Sequence, residues 1–393
     1  MRAIDLPYTR GDWDALLHQV RWRYHKWDIY VAGRHTLPPE AIVLSPSEHA
    51  EVVAIAERLS RVIDVAARRV AAAPHLLAQL DIPPVLYPLL RRAAEVPLQL
   101  ARYDLHPTPD GWMVPEFNED VPGGFNEAVG IADQLRVPGY TLPNLLRRAV
   151  TDAFAPYRRV AMLFATGYSE DLQHCHIIED WLTQAGHSAV RGSPAHLTRG
   201  WRHFTVHGGR VDAAFRYYPG EWLPRLPNLD LWLERGDRLP MLNPISALIR
   251  QSKRLYALWP ELLEADDLAF IRRHTPHTRA FAPEEHLPEL RDHPDRWVLK
   301  QSFGRMGDSV YIGAIMKPED WAKLLSEAAN KPQGWLVQRR FVHEPTAFSG
   351  GPRYAAVGPY VVNGRFAGYY SRAAPQPLLT HEALHVATLI EAP

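Results

Sequence analysis

Residues 102 to 128 read RYDLHPTPDGWMVPEFNEDVPGGFNEA. Two short segments flank a Pro-Asp-Gly turn, a hairpin signature that places side chains two apart on one face of a sheet. Arg102 and Asp104 stand two apart on one arm, Glu116 and Asn118 on the other. Asp104, Glu116 and Asn118 thus offer three oxygen ligands. Such hard donors suit Mg²⁺, which keeps some waters and is completed by substrate phosphates. Arg102, on the same face, could hold a phosphoryl oxygen. Spacing alone leaves open a surface hairpin with solvated carboxylates.

Upstream, SPSEHAEVVAIAERLSRVIDVAARRV repeats apolar residues every three or four positions, which predicts a helix with Ser45, Ser47 and Glu48 as capping candidates. Pro83, Pro84 and Pro88 break the pattern. Downstream, RRVAMLFATG, SEDLQHCHIIEDWLTQAG and HSAVRGSP predict a strand, helix, strand unit from about Tyr157, continued by the strand candidate VDAAFRYYPGEW. LPRLPNLDLW reads as loop, and SALIRQSKRLYALWPELLE as one amphipathic helix. RWVLKQSF, SVYIG, WLVQRRF and YAAVGPYVVNGRFAGYYSR then predict strands. The expected fold class is mixed α/β.

With 393 residues and 46% apolar composition, the chain can bury a core across two or three compact units. Lys plus Arg and Asp plus Glu number 44 each, so no overall basic field draws it to nucleic acid or anionic lipid, and an anionic ligand must meet a local pocket. The single cysteine, Cys175, forms no internal disulfide and fits a reducing compartment. The N-terminus lacks a secretory signal pattern and no apolar run reaches membrane-spanning length, so a cytoplasmic location without membrane partners is expected.

The 102–128 stretch resembles the region of the glutathionylspermidine synthetase family that carries an Arg-x-Asp and then a Glu-aromatic-Asn-x-Asp-x-Pro motif. Three further segments match in the same order. LNPISALIRQSKRLYALW is similar to the segment with the first ATP-phosphate lysine, here Lys253. WVLKQSFGRMGDSV is similar to the second lysine and glycine-rich lid, here Lys300, Gly304, Arg305 and Gly307. WLVQRRF resembles the strand that meets adenine, with Gln338 as the hinge contact, and GPYVVNGRFAGYYSR resembles the closing strands with phosphate-facing Arg372. YYPGEW is similar to a stretch near the family's amine site and offers Glu221.

The resemblance implies a circularly permuted ATP-grasp fold with an inserted α/β (pre-ATP-grasp) domain. Its expected limits are 1–155 for the helical segment and metal-binding part of the body, 156–245 for the α/β insert, 246–345 for the ATP-binding lid region and 346–393 for the closing strands. It also implies ATP and Mg²⁺ as cofactors, with two ions, metal ligands Asp104, Glu116 and Asn118, and Arg102 as charge stabiliser. The activity implied is synthetase-only ligation of a peptide or small-molecule carboxylate to an amine. The family's small hydroxyl and thiol residues that help hold glutathione are replaced by Val121, Gly123 and Gly124, which argues against glutathione.

Two other readings compete. His381, Glu382 and His385 satisfy the zincin pattern, in which two imidazoles one helical turn apart bind zinc. An ATP- or peptide-binding regulatory module without turnover is the other. His174, Cys175 and His176 are adjacent in a helix-like segment and so point to different faces, against a metal cluster.

Overall fold

The computed structural model describes residues 1–31, 33–93, 98–200, 203–304 and 309–392. The predicted cap starts the helix Pro46–Ala72: Ser45 Oγ accepts from Glu48 N at 3.2 Å, and Glu48 Oε2 accepts from Ser45 N at 2.8 Å. Val52, Ile55, Ala56, Leu59, Ile63, Ala66 and Val70 recur at helical spacing and are buried. Each such large aliphatic contributes roughly 1.5–3 kcal/mol of transfer free energy. That face packs on a four-stranded antiparallel sheet in the order Arg365–Tyr369, Pro359–Val362, Leu100–Tyr103, Phe117–Asn118.

In that sheet Arg102 pairs with Tyr360 on one side and Asn118 on the other. The hairpin expected from Pro-Asp-Gly is present as His106–Thr108 against Gly111–Met113. Glu116 immediately precedes the strand Phe117–Asn118 rather than lying within it.

A second sheet joins distant parts of the chain in the order Arg2–Asp5, Glu40–Leu44, Leu384–Glu391, Ser371–Ala374, Gly351–Ala356, Pro345–Phe348. Glu40–Leu44 and Leu384–Glu391 run parallel. A third, parallel sheet takes Ser188–Gly192, Arg159–Phe164, Ala213–Tyr217 and Met241–Leu242, with the helix Ser169–Gln184 as its first crossover. A fourth, antiparallel sheet orders Thr278–Ala280, Trp335–Arg339, Trp297–Gln301 and Val310–Ile312. Helices Pro283–Asp292 and Pro318–Asn330 share a core with it through Leu290, Trp321 and Leu325. Among the described residues no helix is long and apolar enough to cross a membrane.

Three local expectations need correction. Residues 246 to 264 are not one amphipathic helix but Ala247–Gln251, a 3₁₀ turn Lys253–Ala257 and Trp259–Leu262. Ser252 is extended (ψ 120°) and its side chain accepts from Arg254 N, so the chain leaves the helix there; apolar residues are buried all round rather than on one stripe. The proline-rich LPRLPNLDLW is not all loop, since the helix Leu229–Arg235 buries Trp232. Finally, His381-Glu382-Ala383-Leu384-His385 is a turn running into the strand Leu384–Glu391. Its two imidazoles therefore do not share a helix face, and the zincin geometry is not formed.

Candidate functional site

Residues from each of the four sheets described above converge on one cleft of about 660 Å³, a size within the roughly 300–1,000 Å³ usual for small-molecule sites. Arg102, Asp104, Glu116, Asn118, Glu221, Lys300, Gly304, Gln338 and Arg372 all line it. Lys253 reaches the same place from below: its Nζ is 3.2 Å from Glu116 Oε1 and donates to Gly304 O at 3.3 Å. Arg305 and Gly307, the remaining expected lid residues, lie outside the described residues.

Asp104 is clamped by cations. Arg102 grips it through Nε at 2.8 Å and Nη2 at 3.2 Å, and Arg372 Nη2 adds a bond at 2.9 Å. Burial alone would raise the Asp104 carboxyl, yet the two guanidinium groups hold it far below the usual carboxylate range. Arg102 is aimed from its other side as well, donating from Nη1 to Gly123 O at 2.8 Å, with its guanidinium 4.8 Å over the Tyr370 ring. Asn118 Nδ2 lies 3.4 Å from Asp104 Oδ2, leaving the amide oxygen for another partner.

Lys300 is buried, donates to Pro115 O at 3.1 Å, and is pushed down to about 7 by burial, with neighbouring Lys253 adding to the shift. Four basic side chains, Arg102, Arg372, Lys253 and Lys300, thus face two carboxylates, Asp104 and Glu116. The excess cation suits an anionic ligand. Among the described residues no trio of His, Cys, Asp and Glu is placed to hold a metal, so any metal here would rest on two carboxylates and an amide. Those hard oxygens fit Mg²⁺ in kind and number, phosphate oxygens making up the rest.

Several contributors escaped the sequence reading. Asp120, the Asp of the Asn-x-Asp motif, was given no role. It is buried, with Oδ1 2.6 Å from Arg216 Nη2 and Oδ2 accepting from Gly220 N at 2.8 Å. It thereby fixes the turn that carries Glu221. Also lining the cleft, Lys26 Nζ lies 2.6 Å from Glu127 Oε1 and 2.9 Å from Asp28 Oδ1. Burial would raise Glu127, but Lys26 above all brings it down to about 2. His385 Nδ1 is 2.8 Å from Tyr370 Oη and its Nε2 3.6 Å from Glu127; burial lowers it to about 4, so it is neutral at physiological pH. No linear motif joins residues 26, 127 and 385, although the Asn126-Glu127 pair closes the quoted stretch.

Two glycines of that stretch, Gly123 and Gly124, have no free room for a Cβ. A Cβ on Gly123 would fall 2.6 Å from Tyr217 Oη and 2.9 Å from His174 Nε2, and Gly124, at φ +94°, would meet the Tyr370 ring at 2.5 Å. His174 itself is buried, bonded to Asn126 Oδ1 at 2.6 Å, while His176 stacks on His25 and Cys175 is buried, three directions for three neighbours.

Solved structures with similar folds include a glutathione synthetase-like effector from Globodera pallida in its apo form, at TM-score 0.59 and 11% identity, covering 98% of this chain and 99% of that one. A putative gamma-glutamylcysteine synthetase from Methylobacillus flagellatus aligns at TM-score 0.50 and 14% identity, over 81% of this chain and 88% of that one. No curated protein sequence gives a significant match. The family model described as glutathionylspermidine synthase preATP-grasp matches residues 6–391. The mixed α/β architecture is the circularly permuted ATP-grasp body with its inserted parallel-sheet unit, and the chain belongs to the glutathionylspermidine synthase pre-ATP-grasp family, a family of ligase-type, amide-forming synthetases.

Proposed function

We propose that this protein is an ATP-dependent carboxylate–amine ligase acting through an acyl phosphate. The observation that carries the proposal is the convergence of Arg102, Arg372, Lys253 and Lys300 around Asp104, Glu116 and Asn118 in one cleft. A carboxylate oxygen attacks the γ-phosphorus of ATP, the bond to the β,γ-bridging oxygen breaks, and ADP leaves. The amine then attacks the acyl carbon, loses a proton, and expels inorganic phosphate. Binding to Asp104, Glu116 and Asn118, Mg²⁺ would supply charge neutralisation at the phosphate oxygens.

The chain's own groups do the positioning. Lys253, Lys300 and Arg372 balance the triphosphate, and Arg102, rigidly held by Asp104 and Gly123, meets the charge that develops on the transferring phosphoryl group. Gly304 begins the lid, with Arg305 and Gly307 assigned to close over the phosphates and exclude water. Gln338, whose Nε2 donates to Thr278 Oγ1 at 2.9 Å, lines the cleft and serves as the adenine contact. Glu221, which also lines the cleft, receives the cationic amine. Domain limits at about 155, 245 and 345 follow from the same reading.

His174, Tyr217 and Tyr370 occupy the space that side chains at positions 123 and 124 would need. This supports a carboxylate other than glutathione. The test is release of ADP by the purified protein with ATP, Mg²⁺ and pooled carboxylates and amines, followed by product mass. Expected are carboxylate-dependent ADP and a product lighter by one water than its two components. ATP binding with no substrate-dependent ADP from any pool would leave a nucleotide-binding module instead.

A further inference from the structure

The two lysines assigned to the phosphates stand on separate segments. Lys253 opens the 3₁₀ turn Lys253–Ala257, and Lys300 sits in the strand Trp297–Gln301. Both are buried. Two ammonium groups serving one site repel each other, so the segments that carry them need an anchor that does not depend on a ligand. One tie is direct: Lys253 N donates to Ser302 O at 3.0 Å.

The rest of the anchor comes from a third segment, the turn at Leu80 and Asp81. Asp81 closes the 3₁₀ turn Ala78–Leu80 at φ 57° and ψ 22°, left-handed values that Asp, Asn and Gly adopt more readily than other residues. Its Oδ2 accepts from Ser302 Oγ and from Arg254 Nη1, the latter at 3.1 Å. Ser302 Oγ also lies 3.0 Å from Gly334 O, but a hydroxyl has one hydrogen, and the charged carboxylate is the closer and stronger acceptor. Leu80 O accepts from Ser252 Oγ at 2.8 Å.

Leu80 and Asp81 therefore grip the residues on both sides of Lys253 and the residue two beyond Lys300. Asp81 itself does not line the cleft, so anything it does for a ligand passes through those neighbours. A carboxylate shared by Ser302 and Arg254 fixes the distance between the two lysine-bearing segments, and a triphosphate is sensitive to that distance because both ammonium groups must meet it at once. We infer that Asp81 is a positioning residue for nucleotide binding, which through Ser302 and Arg254 sets the spacing of Lys300 and Lys253. The inference rests on the nucleotide reading above.

Calorimetric titration of the full chain with ATP and with adenosine, both in the presence of Mg²⁺, provides the test. Asp81→Gly removes the carboxylate while suiting the left-handed backbone. It is expected to weaken ATP by about tenfold, and adenosine, which has no phosphate for the lysines, by less than about twofold. Asp81→Asn, which keeps an acceptor and tolerates the same φ, should recover most of the ATP affinity. Ser302→Ala should resemble Asp81→Gly, and the double variant should lose little more than either, since both changes remove one contact. Wild-type ATP affinity in Asp81→Gly, or an equal loss for adenosine, overturns the inference and leaves the nucleotide reading standing. ATP bound no tighter than adenosine by the wild type overturns both. Should Asp81→Gly fail to fold, Ser302→Ala decides: unchanged ATP affinity there counts against the assignment.

Discussion

In one cluster of the cleft a carboxylate, Asp104, is held between two guanidinium groups; in a neighbouring cluster, linked to it through Tyr370 and His385, an ammonium, Lys26, is held between two carboxylates. The two arrangements are electrostatic mirror images. Around Asp104 the surplus is positive, since Lys253 and Lys300 add to Arg102 and Arg372. Around Lys26 it is negative, because His174 and His385, both lowered to about 4 by burial, stay neutral. The contrast also lies in redundancy. Asp104 loses only one of two partners if Arg102 is removed, whereas Glu127, buried as deeply, has Lys26 as its closest cation. Adjoining clusters of opposite polarity let one cleft meet groups of opposite charge side by side.

That difference in redundancy can be broken experimentally. The largest effect is expected from Lys26→Met, which strands Glu127 as an uncompensated buried charge and should cost about 3–5 kcal/mol in urea unfolding. Adding Glu127→Gln should restore most of the loss, and a single variant as stable as the wild type would show that this wall carries no such strain. Next, Glu116→Ala or Asn118→Ala should lower ATP turnover by about 10²–10³, the usual cost of a lost charge-stabilising contact. Full ADP release in both variants would remove them from the metal set. Arg102→Met should destabilise the fold less than Lys26→Met, because Arg372 still neutralises Asp104; the reverse ranking in the same urea series would contradict the proposed redundancy.

Per unit of pH, the smallest effect concerns Lys300. Lys300 falls from 10.5 to about 7 on folding, so between these values the unfolded chain binds more protons. Folded stability should therefore rise as pH climbs through that window, while below 7 the burial penalty is fully felt. ATP affinity should move oppositely, weakening above pH 7 by at most about tenfold per unit as the ammonium is lost. Lys300→Arg should flatten both trends, and a pH-independent wild type would argue against a depressed Lys300.

How much of this was legible in the sequence follows from the range of each contact. The hairpin, the Ser45–Glu48 cap and the strand-helix-strand unit are local patterns, and they appear where expected. The convergence of residues 102, 253, 300 and 372 was legible only through the resemblance, because no periodicity relates positions so far apart. The Lys26–Glu127–His385 wall was illegible, being made by tertiary packing of residues that look ordinary in their own windows. The last strand, within the expected closing strands, carries a competing local signal: two histidines four apart imitate a helical zinc site, while the β-branched run that follows, Val386, Thr388 and Ile390, decides the segment as strand.

That strand has a consequence in time as well as in space. Leu384–Glu391 lies between Glu40–Leu44 and Ser371–Ala374, with Ala387 opposite Ala41. A parallel partner drawn from so early in the chain must wait, exposed along one edge, until its mate has been synthesised. Since the same strand delivers His385 to Tyr370 and Glu127, the Lys26–Glu127–His385 wall can be completed only after translation has passed residue 385. The cluster around Asp104 has its hairpin residues by position 118 but likewise waits for Lys253, Lys300 and Arg372, so the nascent protein completes both clusters of the cleft only as the last strands emerge.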